Sequence, residues 1–110
     1  SRYNLAIVLT AQGRFEEAEG LHRKTLEVRR RTLGRDNPQT LDSLCAVAGV
    51  AALRGDREAA LVHLAEAIAL GYSEADVLAQ DSDFESLSED QAFIDLIERA
   101  RGNAVGTRSF

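Results

Sequence analysis

The chain has 110 residues, a formal net charge of −5, one cysteine (Cys45), one proline (Pro38), and neither methionine nor tryptophan. That length makes one small domain, and no stretch approaches the roughly 20 apolar residues that cross a membrane. A lone cysteine excludes an intrachain disulfide and fits the reducing cytoplasm. Charge is unevenly spread: residues 1–35 hold eight Arg or Lys against four Glu, a net of +4, and residues 36–110 hold five Arg against fourteen Asp or Glu, a net of −9. An acidic C-terminal part argues against nucleic acid as the main partner, because phosphate contacts need a basic face.

Apolar spacing predicts a first helix to about residue 12, with Leu5, Val8 and Leu9 on one face, ended by Gly13. A second helix follows over 15–33, carrying Phe15, Ala18, Leu21, Thr25 and Val28 at helical spacing, and Gly34 stops it. Asn37 caps the next helix, and Pro38 fits its first turn without losing a hydrogen bond. That helix spans 38–54, with Leu41, Leu44, Cys45, Ala48 and Ala51 on one face. Gly55 and Asp56 lead into a fourth helix, 57–70, which ends at Gly71. Beyond it the pattern predicts a short helix at 74–80, a polar turn from Asp81 to Ser88, and a final helix at 89–101. Ser88 and Gln91 are placed as a capping box for that last helix, whose Phe93, Leu96, Ile97 and Ala100 form one apolar stripe. Residues 102–110 read as a loose tail.

The chain repeats at a spacing of 42 residues: Leu5-Ala6, Gly13, Glu16 and Ala18 return as Val47-Ala48, Gly55, Glu58 and Ala60. A fixed period of this size marks a solenoid, in which each helix pair buries its apolar face by stacking on the next. The predicted fold is an all-α, α-α superhelix with two helix-turn-helix repeats, 1–36 and 37–71. A capping segment, 72–101, completes the domain.

Asn4-Leu5-Ala6, Gly13-Arg14-Phe15-Glu16-Glu17-Ala18-Glu19 and Leu33-Gly34-Arg35-Asp36-Asn37-Pro38 together resemble the tetratricopeptide repeat. The resemblance is to the long-period variety found in kinesin light chains and bacterial signalling proteins, where His usually stands in place of Asn37. The common repeat has about 34 residues, and two extra turns in the second helix account for the longer period here. His22 and Leu64 stand where an aromatic is usual, and Arg57 replaces the aromatic that Phe15 supplies. Ala59 through Leu70-Gly71-Tyr72 to Asp81-Ser82-Asp83-Phe84 and Phe93 resembles the closing segment of bacterial arrays. Ser1 aligns with Ser43, inside the third helix, so the chain is expected to be the C-terminal part of a longer array.

Candidate chemistry is sparse. His22 and His63 have no second ligand at helical spacing, so neither makes a zinc motif, and both read as histidines of helix seams. Cys45 reads as a small buried hydrophobe. Asp81-Ser82-Asp83-Phe84-Glu85 looks like the start of a calcium loop, but Ser86 replaces the turn glycine and Ala92 the bidentate Glu. The run Arg29-Arg30-Arg31, with Arg23, Lys24 and Arg35, lacks interleaved aromatics and reads as a solvated helix face. No phosphate loop, nucleophile elbow or paired catalytic carboxylates occur, so no enzyme, cofactor or metal is expected.

If Leu5, Val8 and Leu9 face the partner helix, helical geometry turns Tyr3, Asn4, Ile7, Thr10 and Ala11 toward a concave surface. Cys45, Ala46, Gly49, Ala52 and Leu53 are the matching positions in the second repeat, with Asp42 one turn earlier. The same positions also fit a seam between repeats, and spacing alone does not separate the two. The family resemblance implies that Asn4 hydrogen-bonds the backbone of a bound peptide. The expected function is non-catalytic binding of a peptide segment in that groove, within a scaffold or signalling protein. The alternatives are a capping or self-association segment, dimerising through an exposed N-terminal end, and RNA binding through the arginine run.

Overall fold

In the computed structural model, which describes residues 2–106 and the side chains of 5–105, six α-helices follow one another along the chain. They are α1 (Arg2–Ala11), α2 (Phe15–Leu33), α3 (Pro38–Leu53), α4 (Arg57–Ala69), α5 (Ala75–Gln80) and α6 (Gln91–Gly106). A 3-10 helix, Ser82–Leu87, joins α5 to α6, and the described residues contain no strand.

The turns explain the pairing of these helices. Gly13 and Gly55 stand at matching repeat positions with φ of +79° and +85°. A side chain is strained in that left-handed region, and glycine is not. The reversal lets Arg14 N–H donate to Leu9 O at 2.9 Å and Asp56 N–H donate to Ala51 O at 2.8 Å, satisfying carbonyls that a helix end leaves open. The helices also start where capping residues stand. Asn37 accepts from Gln39 N–H at 2.9 Å, and Asp56 accepts from Ala59 N–H at 3.1 Å. Between α2 and α3, the buried Thr40 hydroxyl donates to Gly34 O at 2.7 Å and pins the turn.

α3 is the central helix, packed against α2, α4 and the 3-10 helix. Its buried residues therefore surround it rather than forming one stripe: Leu41, Leu44, Val47, Ala48, Val50 and Ala51 are all covered. One core joins Leu44, Leu64, Ile68, Leu78, Phe84 and Phe93, and a smaller one joins Leu9, Ala18 and Val50.

The structure corrects several local expectations. In α1 the covered residues are Ala6 and Leu9, while Leu5 and Val8 are each 51 % exposed. Their repeat equivalents, Val47 and Val50, are 0 % and 2 % exposed: Val50 packs with Leu9 and Ala18 of the first helix pair, and Val47 lies in the main core. α1 is the first helix of the described stack, and no helix covers that face. In α2 the buried set is Ala18, His22 and Leu26, shifted from the expected stripe, with Val28 exposed.

The expected polar turn at Asp81–Ser88 is a 3-10 helix that buries Phe84 and Leu87, three residues apart as that geometry requires. α6 begins at Gln91 because Asp90, not Ser88, accepts from Ala92 N–H at 3.0 Å. The helix then continues to Gly106, through the start of the expected tail. Asn103 makes the difference, donating through Nδ2 to Ile68 O and Tyr72 O at 2.9 Å each and closing the end of α4. Residues 107–110 lie outside the described residues.

Candidate functional site

Residues of α1, α3 and α5 line a common groove of about 510 Å³. α5 holds this place because it starts four residues after Gly71, as α3 starts four residues after Gly34. It is thus a third inner helix, shortened to six residues and extended by the 3-10 turn.

The groove gathers most of the residues expected on the concave surface. Ile7, Thr10 and Ala11 come from α1, and Asp42, Cys45, Ala46 and Leu53 from α3. Gly49 is buried beneath the 3-10 helix, where Asp83 covers it, and Ala52 lies in the core. Tyr3 and Asn4 belong to α1, but their side chains lie outside the described residues.

Other groove residues were not among those expected on the concave surface. Val77, Asp81 and Asp83 form the far wall, and Tyr72 and His22 close the floor. The matched offsets from Gly34 and Gly71 are the sequence signal that could have placed the far wall.

Local electrostatics follow from partial desolvation in the groove. Desolvation raises Asp42 above the usual carboxylate range, with Arg29 opposing and Glu74 adding to the rise. Asp83 is raised by desolvation and by the neighbouring Asp81 charge. The Cys45 thiol is pushed up to about 12, by burial first and Asp42 second. A hydrogen bond joins it to the Tyr72 hydroxyl, whose own ionisation burial also drives upward. At neutral pH Cys45 is therefore a protonated, weakly nucleophilic thiol. His22 is lowered from 6.5 by desolvation and then by Arg29, which keeps its imidazole neutral.

Arg29 and Arg30 of the arginine run are tied into the fold. Arg29 Nη1 donates to Gln39 O and Ser43 Oγ at 2.9 Å each, fastening α2 to α3. Arg30 pairs with Glu66 on α4, Arg31 with Glu27, and Arg23 with Glu19. Arg54 of α3 meets the same Glu19 at 2.8 Å. Arg57, standing where the first repeat has Phe15, pairs with the cap residue Asp90 and links α4 to the start of α6.

The family profile for the tetratricopeptide repeat matches residues 1–72, the span of the first two helix pairs. The chain belongs to the tetratricopeptide repeat family. Members of this family generally mediate protein–protein interaction and are typically non-catalytic. No curated protein and no solved structure matches the chain significantly. Among the described residues, no helix is long and apolar enough to cross a membrane.

Proposed function

We propose that the groove between α1, α3 and α5 binds an extended peptide segment of a partner protein, as part of a scaffold. One observation carries this reading. Ile7, Leu53 and Val77 are exposed apolar side chains lining the same open groove, with polar groups interspersed. That combination is what a peptide site needs: apolar area for affinity and a few polar groups for orientation. Small residues, Ala11 and Ala46, leave room for a backbone to approach. The engagement of Arg29 by α3 and of Arg30 by α4 weighs against an RNA surface on α2.

Selection from a random peptide display library, followed by calorimetry, tests the proposal. Enriched peptides should lose about tenfold or more in affinity on Ala46→Trp, which plugs the groove, and little on Val62→Trp on the outer surface. Peptides indifferent to Ala46→Trp would move the site elsewhere.

A second reading, self-association, rests on the contrast between Leu5 and Val8, half exposed, and their covered equivalents Val47 and Val50. In the second repeat this face is covered by the preceding helix pair, so in the first it is a surface for another helix pair, including that of a second copy. Light scattering at high micromolar concentration should show a dimer that Leu5→Lys abolishes. A strict monomer at that concentration would reject it.

A further inference from the structure

The groove is acidic as well as apolar. Asp42 on α3 faces it from one side, and Asp81 and Asp83 face it from the other, with Glu74 near enough to act on Asp42. The ion pairs of the described residues engage acids elsewhere: Glu17, Glu19, Glu27, Glu66, Asp76 and Asp90. Arg29 is the cation that acts on Asp42, and it also donates to Gln39 O and Ser43 Oγ. Partial desolvation outweighs its effect on Asp42, which stays exposed to the groove, and Asp42 and Asp83 both hold their protons more tightly than free aspartate. Carboxylates in that condition gain when a cation arrives. The apolar wall of Ile7, Leu53 and Val77 lies in the same groove.

The geometry points to a partner segment bearing a lysine or arginine flanked by apolar side chains, its cation set between Asp42 and Asp81 and its apolar neighbours against Ile7, Leu53 and Val77. This rests on the reading of the groove as a peptide site. Charge complementarity chooses the occupant: an acidic segment, or a phosphate backbone, would meet repulsion from three carboxylates. The net charge of −9 over residues 36–110 extends the same field and steers a cationic segment toward the groove.

Fluorescence anisotropy with two labelled probes, a short alternating leucine–lysine peptide and its leucine–glutamate counterpart, tests this on the whole chain. The lysine probe should bind, more weakly as salt rises, and the glutamate probe should not. Asp42→Asn combined with Asp81→Asn should weaken the lysine probe about tenfold or more, the loss of a charge-assisted contact. Asparagine keeps the cap that Asp81 gives to Asp83 N–H, so helicity by circular dichroism should be unchanged. A control pair on exposed carboxylates outside the groove, Glu85→Gln with Glu89→Gln, should alter affinity by no more than about twofold.

Equal loss in both double variants would mean unspecific attraction and overturn the assignment. If both probes bind and both are lost on Ala46→Trp, the peptide groove stands and the cation preference fails. If neither responds to Ala46→Trp, the groove reading fails, and the cation preference with it. A peptide-free dimer that Asp42→Asn with Asp81→Asn converts to monomer would make the occupant a second copy, which also overturns it.

Discussion

Asp83 rests on Gly49 so closely that a β-carbon at Gly49 would stand 3.0 Å from Asp83 Oδ2. The missing side chain on α3 is what allows the 3-10 helix to approach and bring Asp83 into the groove wall. Gly49→Val should therefore lower stability by about 1–3 kcal/mol, the range for overpacking a closed site. Gly20 is the internal contrast, since nothing lies within 4 Å of a β-carbon built there on α2. Gly20→Ala should raise stability by roughly 0.5–1 kcal/mol through helix propensity. Urea denaturation measures both, and equal effects would contradict the close approach.

Phe84 and Phe93 stack with ring centroids 5.6 Å apart, which locks the 3-10 helix to α6 inside the main core. Phe93→Ala should cost about 3–5 kcal/mol, a large share of the stability of so small a domain. Glu98, exposed on the same helix, should tolerate alanine with little change. Thermal unfolding by circular dichroism decides it. A melting temperature for Phe93→Ala within a degree or so of wild type would make α6 an appendage rather than the third layer.

The two histidines give a pH dependence of definite sign. Both are lowered from 6.5, first by desolvation, then by Arg29 for His22 and by Arg23 for His63. The unfolded chain thus binds their protons at a higher pH than the folded one, so stability falls as pH drops below about 6.5. Asp42 and Asp83 act in the opposite sense, but only nearer their ordinary value of 3.8, where the folded state holds the proton more tightly. The urea midpoint should therefore decrease between pH 7.5 and about 5.5. That slope should flatten in His22→Gln with His63→Gln. A midpoint rising with acidification over that window would contradict the burial of the imidazoles.

Cys45 should react slowly. With its thiol raised from 9.0 to about 12, the thiolate fraction near pH 8 falls about a thousandfold. A disulfide reagent should label the native protein correspondingly slowly and the urea-unfolded chain at an ordinary rate. Fast labelling of the native state would mean that Tyr72 and the surrounding groove leave the sulfur far more open.

The first two helix pairs were legible because glycine at 13, 34, 55 and 71, Asn37-Pro38 and the 42-residue spacing are local signals of turns and caps. Much of the groove followed by repeat geometry, as with Ile7, Thr10, Ala46 and Leu53. The far wall did not. Asp81, Ser82 and Asp83 have the composition of a polar turn, and only the burial of Phe84 and Leu87 against α3 and α6 makes the segment helical. The stripe on α1 was misplaced for a related reason: Leu5 and Val8 are apolar for a contact that the described stack does not make. The extension of α6 depends on Asn103 reaching carbonyls of residues 68 and 72, a tertiary contact without a local pattern.

Backbone amide shifts, followed by NMR as a library-selected peptide is titrated in, test the central claim most directly. The account predicts perturbations that converge on Ile7, Thr10, Ala46, Leu53 and Val77, from three separate helices lining one groove. Perturbations confined instead to Val62, Leu96 and Arg99, on the outer surface between α4 and α6, would contradict it.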